Sequence, residues 1–510
     1  MKMRRHIRRA SAAAGISVLL LVLLLVNASA AENGSISVSA AVGNQRLIYE
    51  INGAEEAAVT VLTAWYDASG RMLGVSRGSN GTAVVGGGAD HYRAFFLDAE
   101  TGAPLCAPWS GTASSFAVIS TAGNEEHTPA YEVDGTTLTI KAGGVYTISG
   151  SLSEGNIVVK KNVTGATLIL RDLTLQSSIT APIVCKKDSS TNLRIEGTVT
   201  LTDSEDASTE DVNSDFEGAA IKTKSGASLT IGGSGTLNLN GSAKRGIKGG
   251  GDVTIDGGII QIDAVDDAIN ADGNLNLNGG TLMIRAGDDA LHADGDLTID
   301  GSNITVSSCY EGFEGARVFL KSGSGRIEYA SDDGVNVASD DNRIQVTIQI
   351  DGGTWYINAE GDGLDAGGNN NPGNGTIVLT GGELEVFASK ETVSSYNDMN
   401  GALDSESGIT AKGGTVLAVG MSAMAEVPRT GTYLAFGGRG WGWSQLRYPN
   451  FVFPGGQLVI KDNAGNIVYA AKHLAARNAN SVVFISDSLT KGADYQLFVN
   501  GQAVEKARAA

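Results

Sequence analysis

Paired carboxylates recur in this sequence at a fixed interval. Asp266 and Asp267 open "DDAIN", Asp288 and Asp289 open "DDALH", and Asp332 and Asp333 open "DDGVN". The apolar residue two places after each pair serves as a landmark. Ile247, Ile269, Leu291, Phe313 and Val335 follow one another every 22 residues. Ile221 lies 26 residues before the series, and Leu364 and Leu403 continue it after steps of 29 and 39. Oxygen-rich clusters of this kind suit a hard divalent cation. General acid–base chemistry also uses carboxylates, but so many of them single out no acid–base pair.

Something must hold these residues in register. Each interval, as in "NLNLNGGTLMIRAGDDALHAD", contains three short runs that alternate apolar and polar residues, separated by Gly or Asp turns. Such runs read as strands. At ~3.3 Å per residue an interval spans roughly 70 Å, about one coil of a parallel β-helix. The predicted architecture is all-β: a parallel β-helix with about 22 residues per coil. A helical solenoid needs a period of 3.6, which is absent. Calcium-binding nonapeptide rolls have a period of nine. Glycine is abundant (69 residues) but not at every third position, which excludes collagen.

In such a stack, equivalent residues sit ~4.8 Å apart. The landmarks then form an apolar core ladder. The residues after them form an external column: Lys222, Lys248, Asn270, His292, Glu314, Asn336, Asp365 and Asp404. Two places before the landmarks runs an acidic column: Asp267, Asp289, Glu311, Asp333 and Asp362. Like charges so close repel unless neutralised. Calcium takes six to eight oxygens in tolerant geometry. Two adjacent coils offer it Asp266, Asp267, Asp272, Asp288, Asp289 and Asp294. No Cys/His spacing suggests zinc. For any single Asp the alternative is a solvated turn residue.

The ordered motifs "DDAIN", "DDALH", "YEGFEG", "DDGVN" and "GDGLDAGG" resemble a family of secreted bacterial carbohydrate-binding proteins. The resemblance runs from about residue 125 to 501. It implies a calcium-binding, right-handed parallel β-helix, similar in shape to polysaccharide lyases and associated with cellulose and pectic chains. It also implies that Asp266, Asp267, Asp288, Asp289, Asp332, Asp333, Asp362 and Asp365 ligate calcium. The chain departs from the pattern at "KRGIKGGG", where Lys244, Arg245 and Lys248 stand in the acidic track.

The flanks read differently. "MKMRRHIRR", "ISVLLLVLLLV" and "NASA" form the n-region, h-region and cleavage site of a secretory signal peptide over 1–30. An uncleaved membrane anchor is the alternative. Removal of 1–30 takes away Lys2, Arg4, Arg5, Arg8 and Arg9 and no acid, so the net charge moves from −19 to −24. Such a surface repels nucleic acid and anionic membranes and attracts divalent cations. The three cysteines, Cys106, Cys185 and Cys309, are widely spaced and do not form a disulfide framework. Residues 33–118 read as an Ig-like β-sandwich, 119–130 as a linker, 131–420 as the β-helix and 421–510 as a C-terminal β cap. Trp441, Trp443 and Tyr448 stand in a glycine-rich loop, either stacking on sugar rings or tucked against the cap.

Three functions fit. The first is non-catalytic, calcium-dependent binding of an extracellular polysaccharide (pectic or cellulosic) at the bacterial surface or beyond it. Its contacts would include Asn270, His292, Glu314, Trp441, Trp443 and Tyr448. The second is a polysaccharide lyase, in which calcium acidifies a proton and Lys222 or Lys248 removes it. Neutralising the acidic edge is the alternative role of these lysines. The third is a structural surface or adhesin protein.

Overall fold

The computed structural model describes residues 37–510 except 44, 53–57, 122–128, 340, 342, 368–373, 390–399, 439 and 442–448. The chain is all-β, and the helix described in full is a single 3-10 turn, Ala207–Thr209. It divides into two compact units. One is built mainly of residues up to Gly123 with Val145–Leu152, and the other runs from Ser153 to Ala510 with short earlier segments.

The first unit holds two four-stranded sheets. One orders Thr82–Val84, Arg46–Asn52, Ser37–Gly43 and Ala113–Ser114; the other orders Met72–Gly78, Val59–Tyr66, His91–Asp98 and Trp109–Gly111. Alternation along these strands sends Leu47, Tyr49, Val61, Tyr92 and Phe96 into one shared core. Trp65 packs against that core, while Tyr66 stacks on His91 with ring centroids 5.0 Å apart.

The second unit is dominated by one large, mostly parallel sheet. Each interval of the repeat contributes a segment to each of three parallel ladders. Through most of the stack a strand pairs with the third strand after it, and the long strands Leu291–Ser308 and Phe313–Ala330 each run through all three ladders. In the first ladder Ile221 pairs with Ile247, Ile247 with Ile269, Ile269 with Leu291, Leu291 with Phe313 and Phe313 with Val335. The register survives insertions: Val335 pairs with Leu364 and Leu364 with Leu403. All of these residues are at most 2% exposed. The second ladder stacks Val253, Leu275 and Leu297, and the third stacks Ile262, Ile284 and Val306. A one-residue slip would turn each of these side chains out of the core, so burial fixes the register.

Glycine supplies one turn of each interval. Gly258 and Gly280 both have φ of +90° ahead of the third ladder, and a Cβ on Gly280 would meet the Gly258 carbonyl at 2.9 Å. Only glycine takes this conformation without strain.

The parallel stacking ends at Thr415–Gly420. Ser481–Ser486 pairs with that strand antiparallel and pairs again with Tyr433–Gly437. Its backbone covers a parallel edge that would otherwise invite another chain. A separate antiparallel sheet of Ile467–Ala470, Leu458–Asp462, Asp494–Val499 and Gln502–Arg508 follows. Its Leu497 and Tyr495 share a core with Phe436 and Phe484.

The ladders make a direct prediction. Ile269→Ala removes a fully buried side chain and should cost about 2–5 kcal/mol in urea unfolding. Ile259→Ala, at an outward position that is 41% exposed, should change stability by about 0.5 kcal/mol or less. Equal effects would mean that the landmark column is not the core.

Candidate metal centre and acidic edge

Each acidic pair sits in the turn that leads into the first ladder. The pairing that stacks Ile269 on Leu291 therefore also stacks the turns before them. Three carboxylate-rich triads result: Asp266/Asp267/Asp288, Asp289/His292/Glu314 and Asp333/Asp362/Asp365, each with its ligand atoms within 4.8 Å of one another. The sequence expectation named all of these residues, although His292 and Glu314 appeared there as ligand contacts. Asp332 is in none of the triads. It accepts a hydrogen bond from the Tyr310 hydroxyl, whose pKa that charge pushes up to about 12.

The three triads are neutralised differently. At the first, the Arg245 guanidinium lies 2.9 Å from Asp267 and 3.0 Å from Asp266. The basic residue that interrupts the acidic track thus supplies the counter-charge itself. Asn270 adds a 2.6 Å hydrogen bond to Asp267. At the second triad, His292 Nδ1 faces Asp289 at 3.1 Å and also contacts Glu314, while its Nε2 faces Asp294 at 3.1 Å. Burial works against a charge on His292, but these carboxylates outweigh it and push the imidazolium pKa up to about 11. Burial still pushes Asp289 up to about 8 although the ring lowers it, so the imidazole offsets only part of the cost of crowding these acids.

At the third triad, no cation of the described residues faces the acids. Burial first, and then Asp365, pushes Asp333 up to about 8; burial and Asp404 push Asp365 up to about 7. Asp362 is raised well above the ordinary carboxylate range by burial and then by Asp333. Backbone N–H groups offer partial compensation. Asp362 donates to Asp333 at 2.6 Å, and Gly401 donates to Asp362 at 2.5 Å. The donor set is all oxygen and lacks a counter-charge, which suits a hard divalent cation.

The external column is more enclosed than its predicted outward orientation implies. Asn270 is 7% exposed and Asn336 is 9% exposed. The acidic column beside them draws them in: Asn270 bonds Asp267, and Asn336 donates to Glu311 at 3.0 Å. Lys248 contacts Asn270 and Asp272, so it is already engaged. Lys222 is half-buried, and burial followed by the Lys224 charge brings its pKa down to about 8. The sequence reading did not single out Glu426, which burial and then Asp404 push up to about 7. Glu426 lies 23 residues after Leu403, one interval on, where the motif itself has faded. Trp443 and Tyr448 fall outside the described residues, as does the side chain of Trp441; its backbone pairs with Met424.

The profile of the carbohydrate-binding domain-containing protein family matches residues 134–297 and 288–426. No curated protein matches the chain. Among solved structures, it is similar to the polysaccharide lyase-like protein from C. thermocellum, determined as a gadolinium derivative. That match has 20% identity, covers 52% of this chain and 87% of the other, and has a TM-score of 0.32.

The raised acids give a pH test. A carboxyl whose folded pKa lies above its ordinary value stabilises the fold while protonated, and that contribution is lost as pH rises through the folded pKa. For Asp333 and Asp365 the folded values are about 8 and about 7. In chelator, the melting temperature should therefore fall between pH 5 and pH 8.5, and Asp333→Asn should flatten the fall. A melting temperature that rises across this range would contradict the arrangement.

Proposed function

The chain belongs to the carbohydrate-binding domain-containing protein family, and from that premise we propose that it is a non-catalytic, calcium-dependent binder of extracellular polysaccharide. The observation that carries the calcium half of this reading is the Asp333/Asp362/Asp365 triad, which crowds three acids together with no basic partner among the described residues. Bound calcium would supply the missing positive charge. Arg245 and His292 supply part of that charge at the other two triads, where burial still raises Asp288 and Asp289. In this reading the three ladders are the faces of a right-handed parallel β-helix. The first unit is an Ig-like sandwich, residues 421–510 form the cap, and residues 1–30 direct the chain out of a bacterial cell. The ligand is a pectic or cellulosic glycan.

A second reading, a calcium-assisted lyase, is favoured by one observation. Lys222, with its pKa brought down to about 8, gives up its proton more readily than an ordinary lysine and so has the makings of a general base. The engagement of Lys248 with Asp272 supports the neutralising role instead.

The mature chain, incubated with polygalacturonate and with cellulose in calcium or in chelator, separates these readings. Binding predicts calcium-dependent retention on one or both polymers with no new ultraviolet absorbance. It also predicts that Asp362→Asn weakens calcium affinity by at least about tenfold. Absorbance that grows with calcium and disappears in Lys222→Ala would establish the lyase. Retention unaffected by chelator would remove calcium from the account.

A further inference from the structure

The acidic edge occupies only one side of the stack. Along the outward face of the third ladder runs a groove of about 710 Å³, within the range of roughly 300–1,000 Å³ typical of ligand sites. Five successive strands contribute to it, from the one carrying Thr200 to the one carrying Thr305. At ~4.8 Å per strand the groove runs roughly 19 Å along the stack, long enough for an extended polymer rather than a single small molecule.

We propose that this groove is the glycan-binding surface, and that it takes a neutral, hydroxyl-rich chain such as a β-glucan in preference to a uronate polymer. The inference rests on the reading of the chain as a polysaccharide binder and adds the place and the ligand class. Its support is the chemistry of one column. Asn238 pairs with Gln261, Gln261 with Met283 and Met283 with Thr305, so their side chains project in a row from the same face. Amides and hydroxyls can exchange hydrogen bonds with sugar hydroxyls in both directions, which charged groups cannot do. Gln261 and Thr305 are exposed, and no side-chain hydrogen bond involves either of them among the described residues. Met283, 39% exposed, places an adaptable apolar surface in the centre of the row for the apolar face of a sugar ring.

Charge decides between ligand classes. The groove contains one acid and one base, Asp263 and Arg285, and they bond each other at 2.6 Å. A uronate carboxylate would have to compete with Asp263 for the one cation in the groove, and Asp263 is the one acid there that could help hold a calcium bridge. A uronate chain would bring many carboxylates to a groove with a single, already paired cation, whereas a neutral chain needs no counter-charge.

Retention on insoluble β-glucan, with calcium present throughout, tests the proposal. Wild type should be retained, and Gln261→Glu and Met283→Glu should each weaken retention by at least about tenfold with an unchanged melting temperature. The gentler double variant Gln261→Ala/Thr305→Ala should weaken it too, which guards against a misfolded charge variant. Wild-type and variant retention that match would overturn the groove and leave the binding function standing. Retention of wild type on polygalacturonate alone would overturn the neutral ligand class. Retention on no polysaccharide would defeat the binding function itself, and the groove with it.

Discussion

Parallel stacking places identical positions of successive intervals ~4.8 Å apart, and the structure depends on how that spacing treats charge. An apolar column gains from such stacking. An acidic column loses by it: two like charges at this distance repel by about 3.5 kcal/mol at an effective dielectric constant of about 20. The hydrophobic ladder from Ile221 to Leu403 fixes the register, so the acids two places before it cannot move apart by slipping. Every acidic turn must be neutralised where it stands.

The chain does this in different ways along one edge. Where the track begins, Arg245 reaches the Asp266/Asp267 pair. In the middle, His292 is held as a cation between Asp289 and Glu314. Towards the C-terminal end, Asp333, Asp362 and Asp365 meet with Asp404 nearby and no basic side chain among the described residues. The built-in cations of the first two positions are the measure of what the third lacks. The acidic edge also leaves the outward face of the third ladder clear, the surface proposed to bind a polymer by shape and hydrogen bonding.

Much of this was legible in the sequence because a parallel stack aligns residues by counting. A 22-residue step predicts which side chains become neighbours, and the landmark register follows it even across the 29- and 39-residue intervals. The period also brings most of the acids into neighbouring turns. It does not report where a side chain turns once it is there. His292 and Glu314 read as outward contacts, yet they fold into the carboxylate network because Asp289 attracts the imidazole. Arg245 read as an interruption of the acidic track, yet it supplies that track's first counter-charge. Glu426 went unnoticed because the motif around it has decayed although its spacing has not. The groove was invisible for another reason: its residues are ordinary outward strand positions, and only the stacking of five strands makes them a surface.

Titration calorimetry of calcium into the metal-free mature chain tests the central claim most directly, with Asp362→Asn measured alongside. At least one calcium should bind at neutral pH with release of protons, because burial and mutual repulsion raise Asp333, Asp362 and Asp365 and a bound cation would reverse that shift. Asp362→Asn should abolish that binding or weaken it at least about tenfold. No heat at millimolar calcium, or an undiminished titration in the variant, would show that the acidic edge is neutralised without a metal.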